Sequence, residues 1–181
     1  MIFGWKDKSE DFEKAAMPHI DELFRSAARV IGNRTEAQDV VQETYLQAWK
    51  SFHRFEPGTN CRAWLFKILF NVIQHHRRKV YNSKTSFNSE MLKESAPYEA
   101  PVPQRLSDED VLGAFAKLPV KYREVVLLAD VEEFAYKEIA ETLGIPVGTV
   151  MSRLSRGRKL LREELTEFAA GYGIMQKGVT A

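Results

Sequence analysis

The side chains best suited to chemistry on this chain are cations set among small polar residues near the C-terminus. Positions 146–162 contain five cations and no acidic residue. At about 100° per residue of an α-helix, one face carries Gly148, Ser152, Ser155 and Lys159. A small, polar and basic helix face fits the major groove of duplex DNA. The alternative is a solvated amphipathic helix whose positive patch binds nothing.

The residues before this helix predict the preceding helix and the turn that position it. Ile139, Ala140 and Leu143 have helical spacing, and Gly144 follows them, where a residue with positive φ commonly ends a helix. Pro146 suits the first position of the next helix. Two helices joined by a short turn containing Gly form the helix-turn-helix pattern, so the sequence predicts a DNA-binding unit over 135–162.

A second cluster lies on a predicted helix over 62–79, whose buried stripe is Leu65, Ile68, Leu69 and Val72. The opposite face combines aromatic, amide and cationic side chains, with Trp64 at its margin. The members of this face are Ala63, Lys67, Phe70, Asn71, Gln74 and Arg78. Base stacking together with phosphate neutralisation is the chemistry of single-stranded nucleic acid. The alternative is that Trp64 and Phe70 belong to the core of a helix buried on two sides.

Bulk properties limit the remaining possibilities. The 181 residues carry a net charge of +1, but positions 7–22 hold six acids while positions 57–89 hold none. Cys61 is the only cysteine, which excludes an internal disulfide and leaves a zinc site without its usual thiolates. The sequence has no secretory signal and no long apolar run, so it predicts a protein of the reducing cytoplasm without membrane insertion.

The periodicity is helical throughout, and the predicted fold class is all-α. Two small helical domains are joined by a flexible linker, and the C-terminal domain carries the helix-turn-helix. The predicted boundaries are 1–81 for the first domain, 82–106 for the linker, 107–168 for the second domain and 169–181 for a disordered tail. Serines, prolines and weak periodicity mark the linker.

Three stretches, in this order, resemble the extracytoplasmic-function (ECF) sigma factors of bacterial RNA polymerase. They read EAQDVVQETYLQAWKSF, FEPGTNCRAWLFKILFNVIQHHRRK and LPVKYREVVLLADVEEFAYKEIAETLGIPVGTVMSRLSRGRKLLR. The resemblance spans about residues 10–166. It implies an alternative sigma factor that binds core RNA polymerase, recognises the −10 and −35 promoter elements and promotes DNA melting for a stress regulon.

The resemblance also implies roles for residues of the N-terminal domain. The helix over 39–50 would dock on the clamp helices of the polymerase β′ subunit through Asp39, Gln42, Glu43 and Leu46. The loop over 55–61 would capture a base flipped from the −10 element, and the following helix would line the path of the melted strand. The implied −10 contacts are Phe55, Asn60, Cys61, Trp64, Lys67, Phe70, Asn71 and Arg78.

In the C-terminal domain the resemblance implies that the second helix of the helix-turn-helix reads the −35 element as duplex. The implied base-facing residues are Thr149, Met151, Ser152, Ser155 and Arg156. The implied phosphate contacts are Arg153, Arg158 and Lys159.

The implied partners are core RNA polymerase, through its β′ clamp helices and β flap, promoter DNA, and an anti-sigma factor. FEPGTNCRAWLFKIL, EFAYKEIA and GTVMSRL resemble the subgroup that answers thiol-oxidative stress, whose anti-sigma factors bind zinc. In that case the redox-sensing cysteines belong to the partner. No cofactor and no metal site in this chain are predicted.

Two other classes of protein compete with this interpretation. A free-standing helix-turn-helix regulator would pair the C-terminal domain with a sensor domain, which does not need a face like that of Trp64, Phe70, Asn71 and Arg78. An enzyme acting on nucleic acid would need a nucleophile set, a carboxylate pair, a phosphate-binding loop or a metal cluster, and none is visible in the sequence. The chain is therefore predicted not to be an enzyme.

Overall fold

A computed structural model describes residues 3–85 and 108–171, and every regular element in these two ranges is helical. The N-terminal module contains α1 (Phe3–Ala16), α2 (Ile20–Ile31), α3 (Arg34–Ser51) and α4 (Cys61–Thr85). The C-terminal module contains α5 (Asp108–Lys117), α6 (Val120–Val126), α7 (Tyr136–Leu143) and α8 (Val147–Gly171). The predicted all-α class is confirmed.

The helix bounds differ at two places from the predicted domain limits. α4 continues to Thr85, past the predicted start of the linker, and α8 continues to Gly171, past the predicted start of the tail. The rest of the predicted linker and tail lies outside the described residues.

The start of α3 is set by Asn33. Its Oδ1 accepts hydrogen bonds from the backbone N–H groups of Thr35 (2.9 Å) and Glu36 (3.1 Å) and so caps the helix. Gly32 just before it has φ 80° and ends α2. The Gly-Asn pair therefore both stops one helix and starts the next.

α4 is the central helix of the N-terminal module. It contacts α1, α2 and α3 of its own module, and α7 of the C-terminal module also packs against it. Leu65, Phe66, Leu69, Phe70 and Ile73 are all 0% exposed. α4 is therefore covered on more than one side, and only a narrow strip faces solvent.

In the C-terminal module, α8 packs against α5, α6 and α7. Gly144 has φ 64° and ends α7, as the turn chemistry predicts. Gly157 sits where α8 crosses α6, and a Cβ at this position would lie 2.6 Å from Val126 Cγ2. Only glycine allows the two helices to approach this closely.

The two modules pack on each other through α4 and α2 on one side and α5, α6 and α7 on the other. At the centre of this contact, the rings of Phe66 and Phe134 meet edge to face with centroids 5.0 Å apart. Both side chains are buried, Phe66 completely and Phe134 to 5% exposure.

Candidate nucleic-acid interface

The exposed face of α8 carries the small and basic residues that the sequence places there. Met151 is 55% exposed, and Ser152, Ser155 and Arg156 are exposed beside it. Thr149 and Arg153 are half-buried at the edges of this face, while Val150 and Leu154 are buried. α8 thus presents one clear face of small and basic side chains, with the large apolar side chain of Met151 among them.

Arg158 and Arg156 on α8 contact residues of other elements, and helical spacing does not reveal these contacts. Arg158 makes a two-point contact with Asp130, with Nε to Oδ2 at 3.0 Å and Nη2 to Oδ1 at 2.5 Å, and the hydrogen bond to Asp130 raises the pKa of Arg158. The hydrogen bond from Arg156 lowers the pKa of the Tyr122 phenol. Arg158 must exchange a carboxylate for a phosphate if it contacts DNA.

On α4, the residues predicted to meet a single strand divide into two groups. Lys67, Asn71 and Arg78 are exposed, as their position on the outward face predicts. Phe70 is 0% exposed, so the prediction that it lies on that face is wrong. The physical reason is that α4 packs on both its own module and α7, so its buried arc is too wide to leave a second aromatic residue in solvent.

Trp64 belongs to an aromatic cluster at the N-terminal end of α4. Its ring lies 5.0 Å from that of Phe55, and Phe55 stacks on Phe52 at 5.6 Å with an angle of 11° between the ring planes. Trp64 and Phe55 are both half-buried. The rings pack on one another and remain partly accessible to solvent, so an unpaired base could stack on the cluster.

The loop before α4 is ordered by its own hydrogen bonds. Asn60 Oδ1 accepts from the backbone N–H of Ala63 at 3.0 Å and so caps α4, while its Nδ2 donates to Glu138 of the C-terminal module at 3.1 Å. Gly58 turns the loop with φ 87°. Cys61 is half-buried, and burial raises the pKa of its thiol, which disfavours the reactive thiolate.

The exposed face of α3 carries the predicted polymerase contacts. Asp39, Gln42 and Glu43 are exposed, and Leu46 is 45% exposed among them. A groove of about 590 Å³ runs between α3 and α4. Asp39 and Glu43 line one wall and Asn71 lines the other, so the predicted polymerase and DNA contacts share one groove.

Within residues 3–85 and 108–171, no group of three or more His, Cys, Asp or Glu side chains is arranged to hold a metal ion. No helix in these ranges is long and apolar enough to span a bilayer. Asp39 and Glu43 face a groove that is also lined by His75 and His76.

Family models match both modules. The model for sigma-70 region 2 matches residues 16–82, and the model for sigma-70 region 4 matches residues 108–161. The chain is 31% identical to ECF RNA polymerase sigma factor SigW of Bacillus subtilis, over 81% of this chain and 84% of SigW. It is 35% identical to sigma factor EcfG of Rhodopseudomonas palustris, over 86% of this chain and 83% of EcfG. It is 34% identical to SigE of Mycolicibacterium smegmatis, over 87% of this chain and 66% of SigE.

Two solved structures are similar over both modules. One is the sigma factor RpoE of Bartonella quintana in complex with the anti-sigma factor NepR, with a TM-score of 0.75 and 30% identity over 87% of this chain and 98% of that one. The other is CnrH in complex with the cytosolic domain of CnrY, with a TM-score of 0.60 and 26% identity over 88% of this chain and 90% of that one.

Proposed function

The chain belongs to the ECF sigma factors and serves transcription initiation rather than acting as a free-standing regulator, and from that premise we propose how its modules divide the promoter. The N-terminal module takes the melted strand of the −10 element, and the C-terminal module reads the −35 element as duplex. The observation that carries this division is the contrast between two exposed helix faces. α4 offers Trp64, Lys67 and Asn71, whereas α8 offers Ser152, Ser155 and Arg156.

Melting follows from the chemistry of the α4 face. A base that leaves the duplex loses its stacking on the neighbouring bases. Stacking on the aromatic rings of Phe55 and Trp64 compensates for part of this loss. Asn71 supplies hydrogen bonds to a base edge, while Lys67 and Arg78 neutralise the phosphates of the extended strand. Unpaired DNA is thereby stabilised relative to duplex, so opening needs no chemical energy input.

Docking on polymerase is assigned to the exposed face of α3. Asp39, Gln42, Glu43 and Leu46 form a polar surface around one apolar side chain, which suits the β′ clamp helices. The C-terminal module would sit on the β flap. Acting with core polymerase places the protein in the cytoplasm.

We also infer that an anti-sigma factor controls this chain. RpoE and CnrH, two of the sigma factors with solved structures similar to it, are each bound to a partner, NepR or the cytosolic domain of CnrY. The motif around FEPGTNCRAWLFKIL points to a zinc-binding anti-sigma factor that responds to thiol oxidation. Because Cys61 is a half-buried thiol with a raised pKa, the redox response would reside in that partner. Release of the chain from its co-purified partner by diamide and zinc chelation would support this subgroup, and release insensitive to both would exclude it.

The decisive experiment is run-off transcription with purified chain and core polymerase on genomic fragments from the native host. We expect discrete transcripts that appear only when both proteins are present. Asn71→Ala should retain polymerase binding but lose permanganate-reactive thymines in the −10 region. Gln38→Ala, an exposed amide on α3 away from the α4 face, is the matched control and should melt normally. Tight duplex binding by the chain alone, with no transcript when polymerase is added, would contradict the sigma function.

A further inference from the structure

Met151 is the most exposed large apolar side chain in the part of the chain that the structure describes, at 55%. It lies near the start of α8, and Val147, four residues earlier, is 42% exposed. Residues four apart are neighbours on the surface of a helix, so the two side chains form a single apolar strip. Hydrogen bonds to base edges and ion pairs with phosphates do not explain why this strip is there.

The charges of α8 begin only after this strip. Residues 147–152 carry no charge, and the first cation of the helix is Arg153. The later cations include Arg156, Arg158 and Lys159. The phosphate backbone attracts cations, whereas the base edges inside the major groove are neutral. The uncharged start of α8 is therefore suited to base edges, and the charged part that follows is suited to phosphates.

The position of Met151 relative to Arg158 fits the shape of the major groove. At about 100° per residue the two residues lie within about 20° of each other around α8, and at about 1.5 Å per residue they are about 10 Å apart along it. The major groove is about 8.5 Å deep. When Arg158 contacts a phosphate at the edge of the groove, the start of α8 therefore reaches the base edges, as the N-terminal residues of recognition helices do.

The residues around Met151 leave it free to touch a base. Long side chains on a helix lean toward its N-terminus, so Met151 extends over the turn that contains Val147 and Gly148. A Cβ added at Gly148 would have nothing within 4 Å, which shows open space on this turn. Ser152 and Ser155 beside Met151 are small and exposed. The methionine can therefore contact a base edge without displacing a neighbouring side chain.

The chemistry of methionine restricts what it can recognise. Its thioether has no hydrogen-bond donor and is only a weak acceptor, so it cannot read the donors and acceptors that distinguish most base edges. The apolar feature that a base edge presents in the major groove is the C5-methyl group of thymine. Contact between this methyl group and the methionine side chain removes apolar surface of both from water, which stabilises the contact.

We propose that Met151 recognises the C5-methyl group of one thymine in the −35 element, so that this element contains an A·T pair where the start of α8 meets it. The proposal rests on the proposed sigma function and adds a specific base contact to it. Val147 extends the same apolar surface. Met151 is thus a specificity-determining residue that acts by contact with a methyl group rather than by charge or hydrogen bonding.

Deoxyuridine tests the methyl group itself, because it pairs with adenine as thymidine does and lacks only that group. Thymidines of the −35 element, on either strand, are replaced one at a time in a promoter that the wild-type chain transcribes with core polymerase. We expect one replacement to reduce initiation by the wild type about fourfold, the effect of losing one buried methyl group. Met151→Ala should show no preference between the two nucleotides at that position. Met151→Leu, which keeps a large apolar side chain, should retain the preference.

Met17→Ala is the matched control, because Met17 is an exposed methionine between α1 and α2, outside the reading helix. It should keep the wild-type ratio of initiation between the thymidine and deoxyuridine promoters. A −35 element without an A·T pair, no effect of deoxyuridine at any position, or an equal effect in Met151→Ala would each overturn the proposal. In these three cases the wild type still transcribes and the sigma function stands, whereas the absence of any wild-type transcript would refute the sigma function itself.

Discussion

The helices α4 and α8 are of equal length, 25 residues each, and neither has an acid in its first turn, yet they are buried in different ways. α8 makes its main packing contacts with α5, α6 and α7 of its own module and leaves one face of small and basic residues. α4 packs on its own module and on α7, so its exposed strip is narrow. α8 therefore offers nucleic acid a face of small and basic side chains, whereas α4 offers a narrow exposed strip.

The difference matches the two forms of DNA. A helix that enters the major groove needs small side chains so that its backbone can approach the base edges. A site for an unpaired strand needs flat apolar surface, and α4 obtains it from aromatic residues anchored at the edge of the core. Phe55 and Trp64 both pack against Phe52, which in turn packs on Phe12 with the two ring centroids 5.1 Å apart. The faces of a helix whose aromatic residues join the core in this way are hard to assign from sequence.

Replacing Phe70 by alanine should give the largest loss of stability among these predictions. Comparison with Trp64→Ala distinguishes an aromatic residue of the core from one proposed to contact DNA. Phe70 is completely buried, so we expect a loss of about 3–5 kcal/mol in unfolding free energy, measured by urea denaturation. Trp64→Ala, at a half-buried position, should cost less stability and instead reduce promoter melting. If the Phe70→Ala protein were as stable as the wild type and failed only in promoter melting, Phe70 would be a DNA contact rather than a core residue.

Gly157→Ala probes the one-sided packing of α8. The added methyl group would lie 2.6 Å from Val126 Cγ2 and 3.3 Å from Tyr122 Cβ, so α8 must move away from α6. We expect a loss of about 1–3 kcal/mol in thermal or urea unfolding. Gly148→Ala is the control, since nothing lies within 4 Å of its added Cβ, and it should be neutral or slightly stabilising. Equal effects of the two substitutions would argue against tight contact between α8 and α6.

Arg156→Ala tests duplex reading by α8. Loss of a base-edge contact should weaken −35-dependent initiation by about 1–2 kcal/mol, and mainly for one base pair of the element. Lys159→Ala, at a predicted phosphate contact, should instead weaken binding equally for all sequences and reduce its salt dependence. Initiation assays on promoters with single −35 substitutions distinguish these outcomes. If Arg156→Ala weakened initiation equally on all of these promoters, Arg156 would be a phosphate contact rather than a base contact.

Local sequence patterns predicted much of this molecule. The faces of α8, the turn at Gly144 and the exposure of Lys67 and Asn71 follow from helical spacing and turn chemistry. The helical class follows from the same periodicity. These features depend on residues within a few positions of each other, where sequence patterns carry information.

The rest depends on contacts between distant parts of the chain. The bond from Ser26 to Glu132 joins residues 106 positions apart, and Asn60 and Glu138 are 78 apart. α4 is covered by helices of both modules, and Phe70 is a core residue although its spacing placed it outward. Arg158 likewise meets Asp130 only in the folded module. One-dimensional periodicity does not encode such pairings.

The smallest predicted effect concerns the buried carboxylate of Glu124. It pairs with Arg77 on the side of α4 that the C-terminal module covers. Burial raises its pKa above the ordinary value of 4.5 in the folded chain. Its contribution to stability is therefore fully present below that ordinary value and is lost as pH rises through the raised pKa.

Glu124→Gln removes this titration while keeping the shape of the side chain. We expect a change below about 1 kcal/mol at pH 7 and a flatter dependence of unfolding free energy on pH above about 4.5, measured by urea unfolding across pH. The matched variant Glu43→Gln, at an exposed position on α3, should leave the wild-type pH dependence intact. If Glu124→Gln instead cost several kcal/mol at pH 7, the ion pair with Arg77 would be a net source of stability, and the covered side of α4 would be held by charge rather than by its aromatic contact.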